Sequence, residues 1–466
     1  MQDPFADLFL EAHEQWDLEA LAYDLAEIRE RSLPPVELVY LRGLLCYCSP
    51  QTIAEACNVV PNTVAKRLST GLYRYVEQLL QTKFQQAVAV NSWSDIPKLL
   101  SQVGYKRTHF AAEKGNQPVQ PGSRESLIGK PGLVAFYGRE TELATLTQWI
   151  TKDKTKFVSI WGQGGMGKTT LVAKLVEAVE AQFNFIIWRS LRNAPSFQTF
   201  AYDLLSFIHG GSINDCPTAT TDQISVLLDH FRQHPYLVVL DDIQTVLASK
   251  TAAGQYREGY EAYGELFRRL EEEPLRDQNL QEEAKSSCII VTSWEQLREE
   301  GRFTGEGQSV RSFKLRGLGT AAEQILAEKK LEDRALWDNL IRPYGGNPWA
   351  LKVIADYIDK TFAGSVAEFL DQNTLFLGDF AYLLHQQFAR LSPPEKQVLT
   401  YLAKEDVPMT IAALAEIIPG PMRRSELMTI LQSLSRRALV ETSRDGKATH
   451  FSLQPTVMKY VTFHQK

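Results

Sequence analysis

Apolar positions along the chain change their period three times. Over residues 1–105 they recur at helical spacing, first as Phe9, Leu10, Trp16, Leu18, Leu21, Leu25 and Ile28, later as Leu72, Val76, Leu79 and Leu80. Residues 106–132 lose the pattern and are rich in Gly, Pro, Ser, Gln and Lys, which predicts a linker. From 133 to 315 five short apolar runs, at 157–161, 183–188, 236–240, 288–292 and 311–315, alternate with helical stretches. Such alternation predicts an α/β domain with a mostly parallel sheet. Within it, residues 251–286 read as a polar insertion, a helix and an exposed loop. Residues 316–379 read as a helical domain. Residues 380–466 read as helices followed by a hairpin, Leu439–Ser443 and Thr449–Leu453 around the turn Arg444-Asp445-Gly446, which predicts a winged helix. The expected fold class is multidomain, α and α/β.

Composition narrows this picture only a little. The chain has 466 residues, 44 % hydrophobic and 23 % charged, enough for several packed cores. A net charge of −6 gives no global reason to expect a nucleic-acid coat. No apolar run approaches the ~18 residues of a membrane span, and the first residues lack the basic region of a signal peptide. The expected location is cytoplasmic, with no membrane partner. Five cysteines, Cys46, Cys48, Cys57, Cys216 and Cys288, do not form a zinc spacing and read as buried free thiols.

Chemistry concentrates at residues 162–169, Gly-Gln-Gly-Gly-Met-Gly-Lys-Thr, which fit G-x-x-x-x-G-K-[ST], a phosphate-binding loop. The loop follows the strand candidate 157–161 and precedes a helix over 170–179. Glycines Gly162, Gly164, Gly165 and Gly167 let backbone N–H groups curl around phosphate oxygens, and the helix N-terminus adds its positive end. Lys168 should reach the β- and γ-phosphates, and the Thr169 hydroxyl should bind Mg²⁺. Gly162-x-Gly164-x-x-Gly167 also matches a dinucleotide fingerprint. That fold needs an acidic residue at the end of the second strand, where Arg189-Ser190 stands, and it has no use for Lys168-Thr169. Tyr236-Leu-Val-Val-Leu-Asp-Asp242 is an apolar run ending in two carboxylates. Asp241 is placed to hold Mg²⁺ through water and Asp242 to polarise an attacking water. The plainer alternative is a strand followed by an aspartate-rich turn.

Residues 36–84 contain a helix-turn-helix candidate: Gln51–Cys57, the turn Asn58–Pro61, then Asn62–Ser69. Ile53, Ala54 and Val64 fall where such a pair buries its shared face. Asn62, Thr63, Lys66 and Arg67 would then face a DNA major groove. Alternatively the pair makes protein contacts and its basic residues are simply solvated, a reading that the nine carboxylates of residues 1–32 favour.

Together these motifs resemble the NB-ARC branch of the STAND ATPases, over about residues 133–460. Phe136-Tyr-Gly-Arg-Glu140 looks like the family's entry motif, so Phe136, Gly138 and Arg139 are implied to lie against adenine. Gly162–Thr170, Met166 and Thr170 included, looks like its phosphate motif. Tyr344-Gly-Gly-Asn-Pro-Trp-Ala-Leu351 is similar to the family's G-[NL]-P-L-A-L motif, whose proline, here Pro348, packs near the base and ribose. Segments 253–264, 384–392 and 453–461 resemble the cyanobacterial type in particular. That type begins with a helix-turn-helix-like domain and continues into a tryptophan–aspartate repeat propeller. The chain ends where the propeller would start, so the expectation is a switch without that sensor or with it on another polypeptide. The resemblance implies an ADP/ATP-operated signalling switch using Mg²⁺, with a protein sensor or effector as partner and a homo-oligomer in the ATP state. The alternatives are a DNA-binding transcriptional regulator and a pseudo-ATPase scaffold in defence signalling. Two departures bear on mechanism. Trp294 follows Thr292-Ser293 where the family has a γ-phosphate-sensing Arg, which implies slow ATP hydrolysis or none. Gln454 stands where relatives present a His to the ADP β-phosphate.

Overall fold

The computed structural model of the chain describes residues 8–9, 12, 16–29, 31, 33–46, 48–57, 59–84, 90, 92–93, 95–103, 105, 124–132, 136–210, 216–272, 286–299, 309–420, 422–446 and 448–464. They fall into two compact units, Met1–Val119 and Gln120–Lys466.

The first unit is helical: Leu18–Arg29, Pro35–Leu45, Pro50–Ala56, Pro61–Arg67, Tyr73–Phe84 and Asp95–Gln102. Its core gathers Trp16, Leu21, Leu25, Leu44, Ile53, Ala54, Val64, Val76 and Leu80. Ile53, Ala54 and Val64 therefore share a buried face, as the spacing predicts. The second helix of the pair does not end near Ser69, however. It passes through a π-helical turn, Leu68–Leu72, into Tyr73–Phe84. The Ser69 and Thr70 hydroxyls both donate to the Lys66 carbonyl, at 3.1 and 2.7 Å, and this back-bonding widens the helix instead of stopping it.

The second unit is built on six parallel strands. They are β1 Arg124–Ile128, β2 Phe157–Trp161, β3 Phe185–Ser190, β4 Tyr236–Asp241, β5 Cys288–Ser293 and β6 Val310–Lys314, in the order β1-β3-β4-β5-β2-β6. Successive side chains alternate between the two faces. Ile187, Tyr236, Val238, Leu240, Ile289 and Val291 pack with helices Phe197–His209, Thr220–Gln233 and Glu261–Glu272. Ile186, Trp188, Leu237, Val239, Cys288 and Ile290 pack with helices Glu140–Thr151 and Lys168–Val179. Both faces are covered, which is why these strands read as continuous apolar runs.

β1 corrects one expectation: it lies inside the stretch read as linker, 106–132, of which residues 106–123 lie outside the described residues. It is an edge strand, Arg-Glu-Ser-Leu-Ile, paired on one side only, with Ser126 opposite Ile187. An edge strand needs no apolar run, so composition conceals it. β3 begins at Phe185, two residues later than its apolar run, and the Asn184 N–H just before it donates to the Pro235 carbonyl at 3.0 Å. Of the polar insertion, Glu261–Glu272 is a helix, and residues 273–285 lie outside the described residues.

Beyond the sheet, helices Glu323–Glu328, Trp337–Ile341, Pro348–Thr361, Val366–Asp371, Phe380–Ala389, Pro393–Glu405, Ile411–Ile417, Arg424–Arg436 and Pro455–His464 pack with an antiparallel hairpin, β7 Val440–Asp445 and β8 Ala448–Leu453. One apolar core runs from Leu318 to Val461 and crosses the boundary expected at residue 380. Among the described residues no helix is long and apolar enough to cross a membrane. Cys216 is half-exposed and the other four cysteines are buried.

Candidate functional site

In a parallel sheet all the strand ends of one kind lie on one edge, and crevices open outside the carboxyl ends. Register brings four ends together here. Trp161 of β2 is opposite Ser293 of β5, Leu240 of β4 opposite Val291, and Ser190 of β3 opposite Asp241. The glycine-rich loop leaves β2 at this edge and enters the helix Lys168–Val179 at Gly167, whose φ of +85° suits glycine.

Lys168 is buried and folds back over its own loop, donating to the carbonyls of Gly162 at 2.8 Å and Gln163 at 3.0 Å. Burial pulls its ammonium down to a pKa of about 8, against the opposing pull of Asp242 and Asp241. The Thr169 hydroxyl donates to Asp241 Oδ1 at 2.9 Å, and Thr292 of the neighbouring strand donates to the same oxygen. Burial, then the Asp242 charge, pushes the Asp241 carboxyl above the usual carboxylate range, while the two hydroxyls and Arg192 act against that rise. Asp242 sits in the left-handed region, φ +63°. Its N–H donates to Thr292 Oγ1 at 2.9 Å, its Oδ1 accepts from Gln244 at 2.8 Å, and its Oδ2 accepts from Arg192 at 2.6 Å.

The loop's other side is held by residues far away in sequence. Asn347 caps the helix Pro348–Thr361 through Oδ1, and its Nδ2 donates to the Gly164 carbonyl at 2.9 Å. The Trp349 N–H donates to the Gly165 carbonyl at 3.3 Å. A Cβ on Gly165 would lie 2.7 Å from Asn347 Oδ1, so this approach requires glycine. Arg139 is buried, pairs with Glu142 at 2.8 Å and donates to the Met166 carbonyl at 3.2 Å. Gly138 backs onto Ala321, Phe136 and Met166 join the core beneath the loop, and Thr170 continues the helix half-buried.

The structure places Arg139, Gly162–Thr170, Asp241 and Asp242 at one edge, with Gly138 beside Arg139. Pro348 opens the helix that touches the loop. Gln454 lies farther out, beside the turn at Gly345, and donates to Glu441 at 2.7 Å. Asn62, Thr63, Lys66 and Arg67 are all exposed, in the other unit. Thr292, Gln244, Arg192 and Asn347 escaped the sequence reading as site residues. Asn347 has a local signal, the N-cap preference ahead of Pro348; the others meet the site only through strand register.

Those residues suit a nucleoside phosphate with its cation. A Cβ at Gly164 would meet Leu383 at 2.9 Å, so the cradle is closely backed. Both ends of the buried Gln163 amide lack a hydrogen-bond partner, as does Gln454 Oε1, leaving polar capacity around the loop unspent. The donor set of one hydroxyl and one carboxylate is hard, oxygen-only chemistry of the kind Mg²⁺ takes. A separate hollow of about 630 Å³, lined by Thr220, Tyr256, Arg268 and Arg298, shares no residue with this edge.

Past β5 the chain turns to a second polar cluster. Trp294 lines a small hollow with Glu295, Gln387, Arg390, Arg437 and Leu439. Glu295 is 2 % exposed and pairs with Arg390 at 2.7 Å and with Arg437 at 2.5 Å. Arg437 also holds Glu395 at 3.1 Å and the Thr251 carbonyl at 2.8 Å. Glu395 Oε2 meanwhile completes a capping box with Ser392, so one carboxylate fixes a helix start and a buried ion pair together. Four charges, two of each sign, bolt the end of β5 to the helices of the C-terminal core.

Comparison with known proteins identifies one domain. Residues 139–253 match the NB-ARC domain. An uncharacterized WD repeat-containing protein of Nostoc sp. is 35 % identical over 348 residues, 72 % of this chain. The chain spans about a quarter, 27 %, of that relative's length. Among solved structures, the Aeropyrum pernix ORC2 protein covers 70 % of this chain and 93 % of its own, at 17 % identity and a TM-score of 0.42. A Walker-type ATPase of Pyrococcus abyssi covers 70 % and 96 %, at 12 % identity and 0.43. The chain thus carries an NB-ARC domain over residues 139–253, which includes the glycine-rich loop and strands β2, β3 and β4 of the parallel sheet.

Proposed function

We propose that the chain is an adenine-nucleotide-operated switch in which nucleotide occupancy sets the position of the C-terminal helices. One observation carries this reading: the side chain of Asn347, at the start of a C-terminal helix, donates to the Gly164 carbonyl of the phosphate loop. Ligand cannot reorganise that loop without acting on the helix. In the proposal Lys168 and the loop N–H groups hold the β- and γ-phosphates. Thr169 and Asp241 hold Mg²⁺, and Phe136, Gly138, Arg139 and Pro348 surround the base. Bound Mg²⁺ would neutralise charge developing on the phosphates. ADP favours the closed arrangement and ATP an open one, which requires different affinities of the two nucleotides for the two states. The C-terminal hairpin and helices act as a winged helix, with Gln454 the candidate neighbour of the ADP β-phosphate. Hydrolysis is slow, because Trp294 offers no cation. The test is denaturation of the purified protein followed by chromatography of released nucleotide, with titration of ADP and ATP. Bound ADP lost in Lys168→Ala supports the reading; no nucleotide and no binding would end it.

A second reading is favoured by one further observation. Asn62, Thr63, Lys66 and Arg67 are all exposed on the short helix Pro61–Arg67. In that reading the helix enters a DNA major groove and the switch governs transcription. Lys66→Ala/Arg67→Ala should weaken DNA retention and flatten its salt dependence. If the full chain shifts no DNA fragment at low salt, this helix serves protein contacts.

A further inference from the structure

At the carboxyl end of β5 the residue after Ser293 is Trp294 and not a cation, and it lines a small hollow with Arg390 and Arg437. A cation stands at the same sheet edge two strands away. Because Ser190 of β3 is opposite Asp241 of β4, the residue two places beyond β3 arrives beside the residue one place beyond β4. Those residues are Arg192 and Asp242, joined Nε to Oδ2 at 2.6 Å. Arg192 is 74 % exposed while Asp242 is 14 % exposed, so the guanidinium lies at the mouth of the crevice. Its charge is felt at Asp241 as well.

We propose that Arg192 is the residue by which this site tells a nucleoside triphosphate from a diphosphate, through contact with the terminal phosphate. The proposal rests on the nucleotide-switch reading above. Asp242 does not depend on Arg192 for its orientation, since Gln244 holds its other oxygen and Thr292 its N–H. The arginine therefore moves without disordering the carboxylate. Guanidinium is planar and stays charged, and its paired N–H groups match two phosphate oxygens where an ammonium offers a point charge. With no terminal phosphate, Arg192 and Asp242 neutralise each other. With one, Arg192 turns to it and Asp242 is released, so both groups enter service together.

An ordinary surface ion pair would look similar in a static structure and would matter little. Binding separates the two. Affinities of ADP and of a non-hydrolysable ATP analogue, each with Mg²⁺, are measured by calorimetry on the full chain. Arg192→Ala is expected to weaken the analogue about tenfold or more and ADP by about twofold at most; Arg192→Lys should fall between. Retained ADP binding shows that the variant is folded. Equal losses for both nucleotides, or no loss, would overturn the proposal and leave the switch reading standing. Arg192→Ala/Asp242→Asn decides a subtler alternative. If the double variant regains analogue affinity, Arg192 only masks Asp242 and the proposal fails; a persisting loss supports it. Wild-type protein that binds neither nucleotide would take down the switch reading, and this proposal with it.

Discussion

Lys168 shows what burying the loop's lysine costs. Its ammonium is buried, and its proton is held less tightly than in the unfolded chain, with a pKa of about 8 against 10.5. Where the folded pKa is depressed, the unfolded chain binds more protons between the two values, so stability rises with pH across that window. The stability of wild type relative to Lys168→Met should therefore improve by about 2 kcal/mol between pH 8 and pH 10. Urea unfolding of both proteins at a series of pH values checks this; a constant difference would mean that the ammonium is well solvated. A second single-residue expectation concerns Trp294. It lines the same small hollow as Arg390 and Arg437. Trp294→Arg would bring a third like charge there, so it should lower the melting temperature, and by placing a cation after β5 it should raise ATP turnover. Unchanged turnover would show that the missing cation is not what slows hydrolysis.

At the level of elements, the junction after β5 depends on charges that have left water. Glu295→Gln leaves the buried Arg437 and the half-buried Arg390 with one counter-charge fewer, and removing one partner of a buried pair costs about 3–5 kcal/mol. The expected result is an earlier urea transition with protease cleavage confined to the C-terminal helices while the sheet persists. A single unchanged transition would show the junction to be wet. Sequence legibility divides along the same line. β2, β4 and β5 were readable because burial on both faces demands apolar runs, and the loop 162–169 because its chemistry fits within eight residues. β1 was not, since an edge strand tolerates Arg124 and Glu125. The cluster around Glu295 was not either, because its partners are 95 and 142 residues away and each looks alone like an ordinary surface charge. Arg192 escaped for the same reason, its meaning arising only when register sets β3 beside β4.

For the whole molecule, the feature with the longest reach is the division of those four charges. Glu295 belongs to the sheet side, while Arg390, Glu395 and Arg437 belong to the C-terminal core. If the proposed switch opens at this junction, the sheet keeps a lone carboxylate and the helices keep a surplus positive charge. Parting begins from a desolvated contact that dissolved ions cannot reach, so its rate should be indifferent to ionic strength. Return begins in water, across distances at which attraction between opposite charges is screened within about 10 Å at 0.1 M salt. Closure should therefore slow as salt rises while opening does not, which makes salt lengthen the open state rather than trigger it. Stopped-flow records from dyes on the two sides, after a jump in nucleotide concentration, would resolve the two rates. Equal salt dependence of both would mean that water already fills the junction before it opens.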